Sequence, residues 1–82
     1  MKTLKYTRKA IKQIKNLPDS VKNIVNASIK TLKEWPDCRN IKALSGMEGY
    51  RLRVGNFRII FEVEDNTVIV KEVKKRDEHT YN

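Results

Sequence analysis

The sequence predicts an α+β domain, with an N-terminal strand and a two-helix hairpin packed on one face of a small, mainly antiparallel β-sheet. Three observations carry this. Residues 50–63 alternate apolar with other side chains on either side of Gly55 and Asn56, as a β-hairpin with one buried face requires. Val21, Ile24, Val25, Ile29, Leu32 and Trp35 recur at helical spacing. The order of elements, strand, helix, helix and then three or four strands, puts both helices on one side of the sheet.

Taken in order, Leu4 and Tyr6 flank Lys5 as a short strand would. Thr7 is suited to cap a helix running to about Leu17, with Ala10, Ile11, Ile14 and Leu17 as its apolar stripe. Its other face carries Arg8, Lys9, Lys12 and Lys15, a solvated face or a surface for a polyanion. Leu17 precedes Pro18 and is therefore pushed out of helical geometry, which separates the two helices. Pro18 suits the first turn of the second helix, Asp19 complements its dipole, and Pro36 stops it after Trp35. Trp35, at the end of an apolar stripe, reads as core. Residues 37–49 read as an irregular connection with a short apolar anchor at Ile41, Ala43 and Leu44. The hairpin follows, then a turn at Glu64, Asp65 and Asn66, then a strand over residues 67–73.

Eighty-two residues make one domain, 1–82, without repeats or linkers. There are 18 Lys and Arg against 10 Asp and Glu, a net charge of +8. That balance favours nucleic acid, an anionic membrane or an acidic protein as partner. Neither a membrane-length apolar run nor the apolar core of a signal peptide is present, so a cytoplasmic protein with no membrane partner is expected. Cys38 is the single cysteine, which leaves no internal disulfide and fits a reducing compartment. His79 is the single histidine, and no acidic cluster has metal-ligand spacing. No cofactor fingerprint, phosphate-cradling glycine loop or hydroxyl nucleophile beside a base is found, so no metal and no cofactor is expected.

What the chain does carry is a cationic sheet face. If Tyr50, Leu52 and Val54 point to the core, Arg51 and Arg53 point away from it. On the next strand Phe57, Ile59, Phe61 and Val63 share the core side and Arg58 the other. Three guanidiniums on one small face repel one another and add nothing to a core, an arrangement suited to a polyanion. The tail brings Lys74, Lys75, Arg76, His79 and Tyr81 to its rim. Of these, a histidine has an ordinary pKa near 6.5 and moves a proton at neutral pH, whereas a tyrosine needs nearby cations to act as a base.

The block ALSGMEGYRLRVGNFRIIFEVEDNTVIVKEVKKRDEHTY, residues 43–81, resembles the C-terminal half of RelE/ParE-superfamily toxins of bacterial toxin–antitoxin systems. The helical hairpin with its proline break agrees, so the resemblance covers nearly the whole chain and implies a RelE-like fold. RelE-like members are ribosome-dependent endoribonucleases of type II systems, cutting mRNA by metal-independent attack of the 2′-hydroxyl. ParE-like members share the fold and poison DNA gyrase without nuclease activity. Because the tail joins cations to Tyr81, the resemblance favours the RelE-like reading, with the gyrase poison as the alternative. It implies catalytic roles for Arg51, Arg53 and Arg58, with Arg76, Lys75, His79 and Tyr81 supplying the tail's share. Lys75 stands where many relatives carry a histidine. RNA or ribosome contact falls to Arg8, Lys9, Lys12, Lys15 and Lys74. The implied partners are the ribosome and mRNA, and a cognate antitoxin with an acidic, partly disordered segment.

Overall fold

A computed structural model describes residues 1–75. Strand β1 (Thr3–Tyr6) leads into helix α1 (Arg8–Lys15) and then α2 (Asp19–Lys30), which tightens into a 3₁₀ turn (Thr31–Glu34). Four strands follow: β2 (Ile41–Ala43), β3 (Tyr50–Val54), β4 (Phe57–Glu64) and β5 (Thr67–Lys75). They form one five-stranded sheet in the order β1-β5-β4-β3-β2, antiparallel except for the parallel pair β1 and β5. The expected α+β architecture is the one observed.

The sheet's inner face presents Leu52, Val54, Ile59, Phe61, Val68, Val70 and Val73, and the helices cover it with Ala10, Val25, Ile29 and Leu32. Trp35 closes one end of this core, its ring 4.6 Å from Tyr50 and 5.6 Å edge-on to Phe61. The apolar stripes are narrower than their spacing implies. Ile11 is 48% and Ile24 60% exposed, because Ala10 with Ile14, and Val25 with Ile29, already fill the space above the sheet.

Three boundaries differ from the sequence reading, the last of them β5, which pairs with β4 as far as Lys75 and so runs past the expected end at residue 73. Helix α2 does not run regularly to Trp35, because Thr31 donates its hydroxyl to the Ser28 carbonyl at 2.6 Å and the chain narrows to 3₁₀ geometry before Pro36. Residues 41–43, expected within an irregular connection, pair as an edge strand with residues 50–52 of β3. Three residues are too few to show an alternation in sequence.

A register shift between Ile60 and Phe61 shapes everything on the other side of the sheet. Phe61 lies opposite Val70 whereas Ile60 lies opposite Glu72, so Lys71 is an extra residue on β5. The bulge resets which residues point inward, from Val68 and Val70 to Val73. Helix α1 is fastened at this irregularity. Thr7 accepts from the Ala10 amide at 3.1 Å as an N-cap and donates its hydroxyl to the Lys71 carbonyl at 2.8 Å. One turn on, the Gln13 side-chain oxygen accepts from the Val73 amide at 2.6 Å. Where β1 ends, α1 therefore takes over the hydrogen bonding of the β5 edge, which buried backbone groups require.

A candidate nucleic-acid interface on the outer sheet face

The hairpin turn sets the register of the site. Gly55 has φ +56° and leads directly into Asn56, so Val54 faces Phe57 and Arg53 faces Arg58. On its far side Arg58 lies opposite Lys74 of β5. Arg53, Arg58 and Lys74 thus form one row across three strands, with cross-strand Cβ atoms about 5 Å apart. The next row runs Lys42, Arg51, Ile60 and Glu72. At its β2 end, an open cleft of about 260 Å³ is lined by Asn40, Ile41, Lys42, Arg51 and Arg53. Asn40 turns the chain there with φ +63°, and its carbonyl accepts from the Arg53 amide at 3.0 Å.

Gly49 fixes the entry to β3. Its φ is +111°, and a Cβ there would meet the Phe61 carbonyl oxygen at 3.0 Å, so the chain just before Arg51 passes closer to β4 than a side chain permits.

Charge on the face is unbalanced. Among the described residues, none of Arg51, Arg53 and Arg58 lies in an ion pair; the four pairs present join Lys9 to Glu72, Lys22 to Asp19, Lys71 to Glu62 and Lys74 to Glu72. Glu72 is the carboxylate of the two central rows, 2.8 Å from the Lys9 ammonium and 3.8 Å from that of Lys74. A row of like charges directly opposite one another is destabilising, and a polyanion relieves it.

The structure brings Arg51, Arg53 and Arg58 together as the alternation predicts. It does not add Lys75 to them. Lys75 lies opposite Phe57 on the helix side, where it lines a groove of about 600 Å³ with Leu17, Val21, Phe57 and Val73. The bulge is the physical reason, and it gives Lys74 the place on the arginine face. Its signal in the sequence is the spacing of Val68, Val70 and Val73, two residues and then three. Lys42 is a further member of the face that sequence reasoning missed, since its strand was not recognised. Arg8, Lys12 and Lys15 are exposed along the outside of α1, whereas Lys9 turns to the sheet face and Glu72. Arg76, His79 and Tyr81 lie outside the described residues.

Other reactive groups sit elsewhere. Cys38 is half-buried beneath the 3₁₀ turn, its thiol 3.5 Å from the Thr31 carbonyl. Burial, with Asp37 and Glu34 nearby, pushes its pKa up and keeps it a protonated thiol. Among the described residues no three of His, Cys, Asp and Glu converge as metal ligands would, and no helix is long and apolar enough to cross a membrane.

Comparison with known proteins places this geometry. A sequence model described as the ParE toxin of type II toxin–antitoxin system, parDE, matches residues 4–80. The chain belongs to that toxin family. The isolated RelE toxin of E. coli superposes with a TM-score of 0.83 at 21% identity, covering 98% of this chain and 89% of that one. The toxin–antitoxin complex RelBE2 of Mycobacterium tuberculosis gives 0.75 at 25% identity, covering 92% and 98%. The YoeB dimer of Staphylococcus aureus gives 0.74 at 16% identity, covering 93% and 98%. A search of curated protein sequences finds no match. The chain is therefore a RelE/ParE-superfamily toxin of a type II toxin–antitoxin system, and its fold is that of RelE.

Proposed function

We propose that this toxin is a ribosome-dependent endoribonuclease whose outer sheet face holds the scissile phosphate of mRNA. The observation that carries the reading is the row Arg53, Arg58 and Lys74, three cations set opposite one another across the sheet. In the reaction a ribose 2′-oxygen attacks the adjacent phosphorus, the bond from phosphorus to the 5′-oxygen breaks, and a 2′,3′-cyclic phosphate and a 5′-hydroxyl result. Charge builds on the non-bridging oxygens as the new bond forms, and guanidiniums whose strand positions already converge on that face stabilise it. Arginine binds such oxygens in pairs and does not take up protons at neutral pH, so it is no base. The proton of the 2′-hydroxyl passes to the tail, where Tyr81 or His79 is the acceptor, and the departing 5′-oxygen takes up a proton in turn. Lys75 is not assigned this role, because its strand position directs it to the helix side.

A site made of cations with a single proton acceptor is a modest catalyst by itself. Alignment of the 2′-oxygen with the phosphorus is the larger contribution, worth several kcal/mol when a rigid frame supplies it. The ribosome is that frame in this reading, and the exposed stripe of Arg8, Lys12 and Lys15 meets its RNA backbone. The cognate antitoxin is an acidic segment that folds over the same cationic face. Complexes such as RelBE2 of M. tuberculosis support an antitoxin partner.

The second reading is a gyrase poison, favoured by the ParE description of the matching family model. Inducing the toxin in cells and assaying mRNA integrity beside gyrase supercoiling separates the two. The nuclease reading expects cut mRNA with supercoiling intact. Whole mRNA with stalled supercoiling would overturn it.

A further inference from the structure

The two rows of the outer face differ in kind. The first, Arg53, Arg58 and Lys74, is entirely cationic. In the second, Ile60 lies between Arg51 on β3 and Glu72 on β5. Ile60 is a half-buried apolar side chain whose neighbours on its own strand and face are Arg58 and Glu62. Glu72 is anchored rather than free to turn, its two oxygens facing Lys9 at 2.8 Å and Lys74 at 3.8 Å, with 22% of its side chain exposed. An apolar step with a guanidinium donor on one side and an anchored carboxylate acceptor on the other is not what phosphate binding requires.

We propose that Arg51, Ile60 and Glu72 form a nucleobase subsite, in which the base attached to the gripped phosphate lies on Ile60 with opposite edges towards Arg51 and Glu72. This rests on the nuclease reading and deepens it. Neighbouring strands are about 4.8 Å apart, so Arg51 and Glu72 stand roughly 10 Å apart at their bases, wide enough for a flat ring with a hydrogen bond at each edge. Arg58 and Ile60 are two residues apart along β4, about 6.6 Å, the scale of the ribose that joins phosphate to base. The two rows thus set the orientation of the bound nucleotide, with its phosphate towards the hairpin turn.

The chemistry also selects. Arg51 donates to ring nitrogen or carbonyl acceptors, and the Glu72 carboxylate accepts from N–H groups. Cytosine and adenine offer an exocyclic amine to Glu72. Uracil offers one N–H flanked by two carbonyl oxygens, which the carboxylate repels. The subsite therefore favours amino-bearing bases over uracil. Glu72 retains acceptor capacity for this, since a carboxylate has about four lone-pair positions and its lysines use two.

Binding of short single-stranded oligo(A), oligo(C) and oligo(U) RNA to the full chain, read by fluorescence anisotropy, tests the subsite without requiring cleavage. The wild type should bind oligo(C) and oligo(A) about tenfold more tightly than oligo(U), the effect of one good base-edge contact. Glu72→Gln keeps the shape and adds a donor, so it should bring that ratio close to one. Any general gain in affinity from removing a negative charge affects all three RNAs alike and leaves the ratio readable. Ile60→Ser should weaken all three several-fold. Equal affinities in the wild type, or a ratio unchanged by Glu72→Gln, would overturn the proposal. A preserved ratio in a protein that leaves mRNA whole would keep the subsite and remove the nuclease reading instead.

Discussion

Arg53 and Arg58 face each other directly across β3 and β4, with Lys74 opposite Arg58 on the next strand. Like charges in such positions cost stability, and the fold does not need them there. Arg58→Gln should therefore act in opposite directions on folding and on activity. We expect the denaturation midpoint to rise, by up to about 1 kcal/mol of stability. Cleavage should fall roughly a hundredfold, the effect of losing about 3 kcal/mol of transition-state charge stabilisation. A variant that loses stability and activity together would mark Arg58 as a structural residue.

The bulge at Lys71 assigns different work to two adjacent lysines. Lys74 shares the face of Arg58, whereas Lys75 lies beside Phe57 on the helix side. Lys74→Ala should weaken RNA binding and reduce the slope of log affinity against log salt by about 0.7, the share of one phosphate contact on a single strand. Lys75→Ala should leave that slope in place. A salt titration of both variants decides the matter, and equal slopes would show that the bulge does not sort these charges.

Thr7 joins a helix cap to the bulge, accepting from Ala10 and donating to the Lys71 carbonyl. Thr7→Ala removes both bonds and should cost about 1–2 kcal/mol in urea denaturation. Thr7→Ser retains the hydroxyl and should recover most of this. Hydrogen exchange at Val73, bonded to Gln13 one turn along α1, should quicken in Thr7→Ala as α1 loosens.

Cys38 offers a pH test. Its folded pKa is raised, first by burial and then by Asp37 and Glu34, so the folded state holds the thiol proton more firmly than the unfolded chain. The resulting stabilisation is present in full below the ordinary thiol pKa and is lost as pH rises through the folded value. Alkylation by iodoacetamide at pH 8 should be slower in the native protein than in urea. Native reaction at the unfolded rate would contradict the assigned environment.

The hairpin was legible in sequence because residues 50–63 alternate except at Ile60 and Gly55 marks the turn, and those same features aligned Arg51, Arg53 and Arg58. The cap at Thr7 and the place of Trp35 in the core were legible for similar local reasons. What escaped depended on long-range pairing. Ile41, Lys42 and Ala43 become a strand only because β3 offers them an edge, so Lys42 was not seen beside Arg51. Along β5 the valine spacing changes from two to three at the bulge, and that one extra residue reverses which of Lys74 and Lys75 meets the arginines. Ile11 and Ile24 carried the right spacing yet stay exposed, because spacing gives a direction and not whether space remains to be filled.

The central claim is that the outer sheet face cleaves RNA by attack of the 2′-hydroxyl. The most direct measurement is the chemistry of the RNA ends produced when the purified toxin is added to a translating extract. Wild-type protein should leave a 2′,3′-cyclic phosphate and a 5′-hydroxyl, and Arg58→Ala should reduce those products about a hundredfold. Fragments ending in a 5′-phosphate, or undiminished cutting by Arg58→Ala, would contradict it.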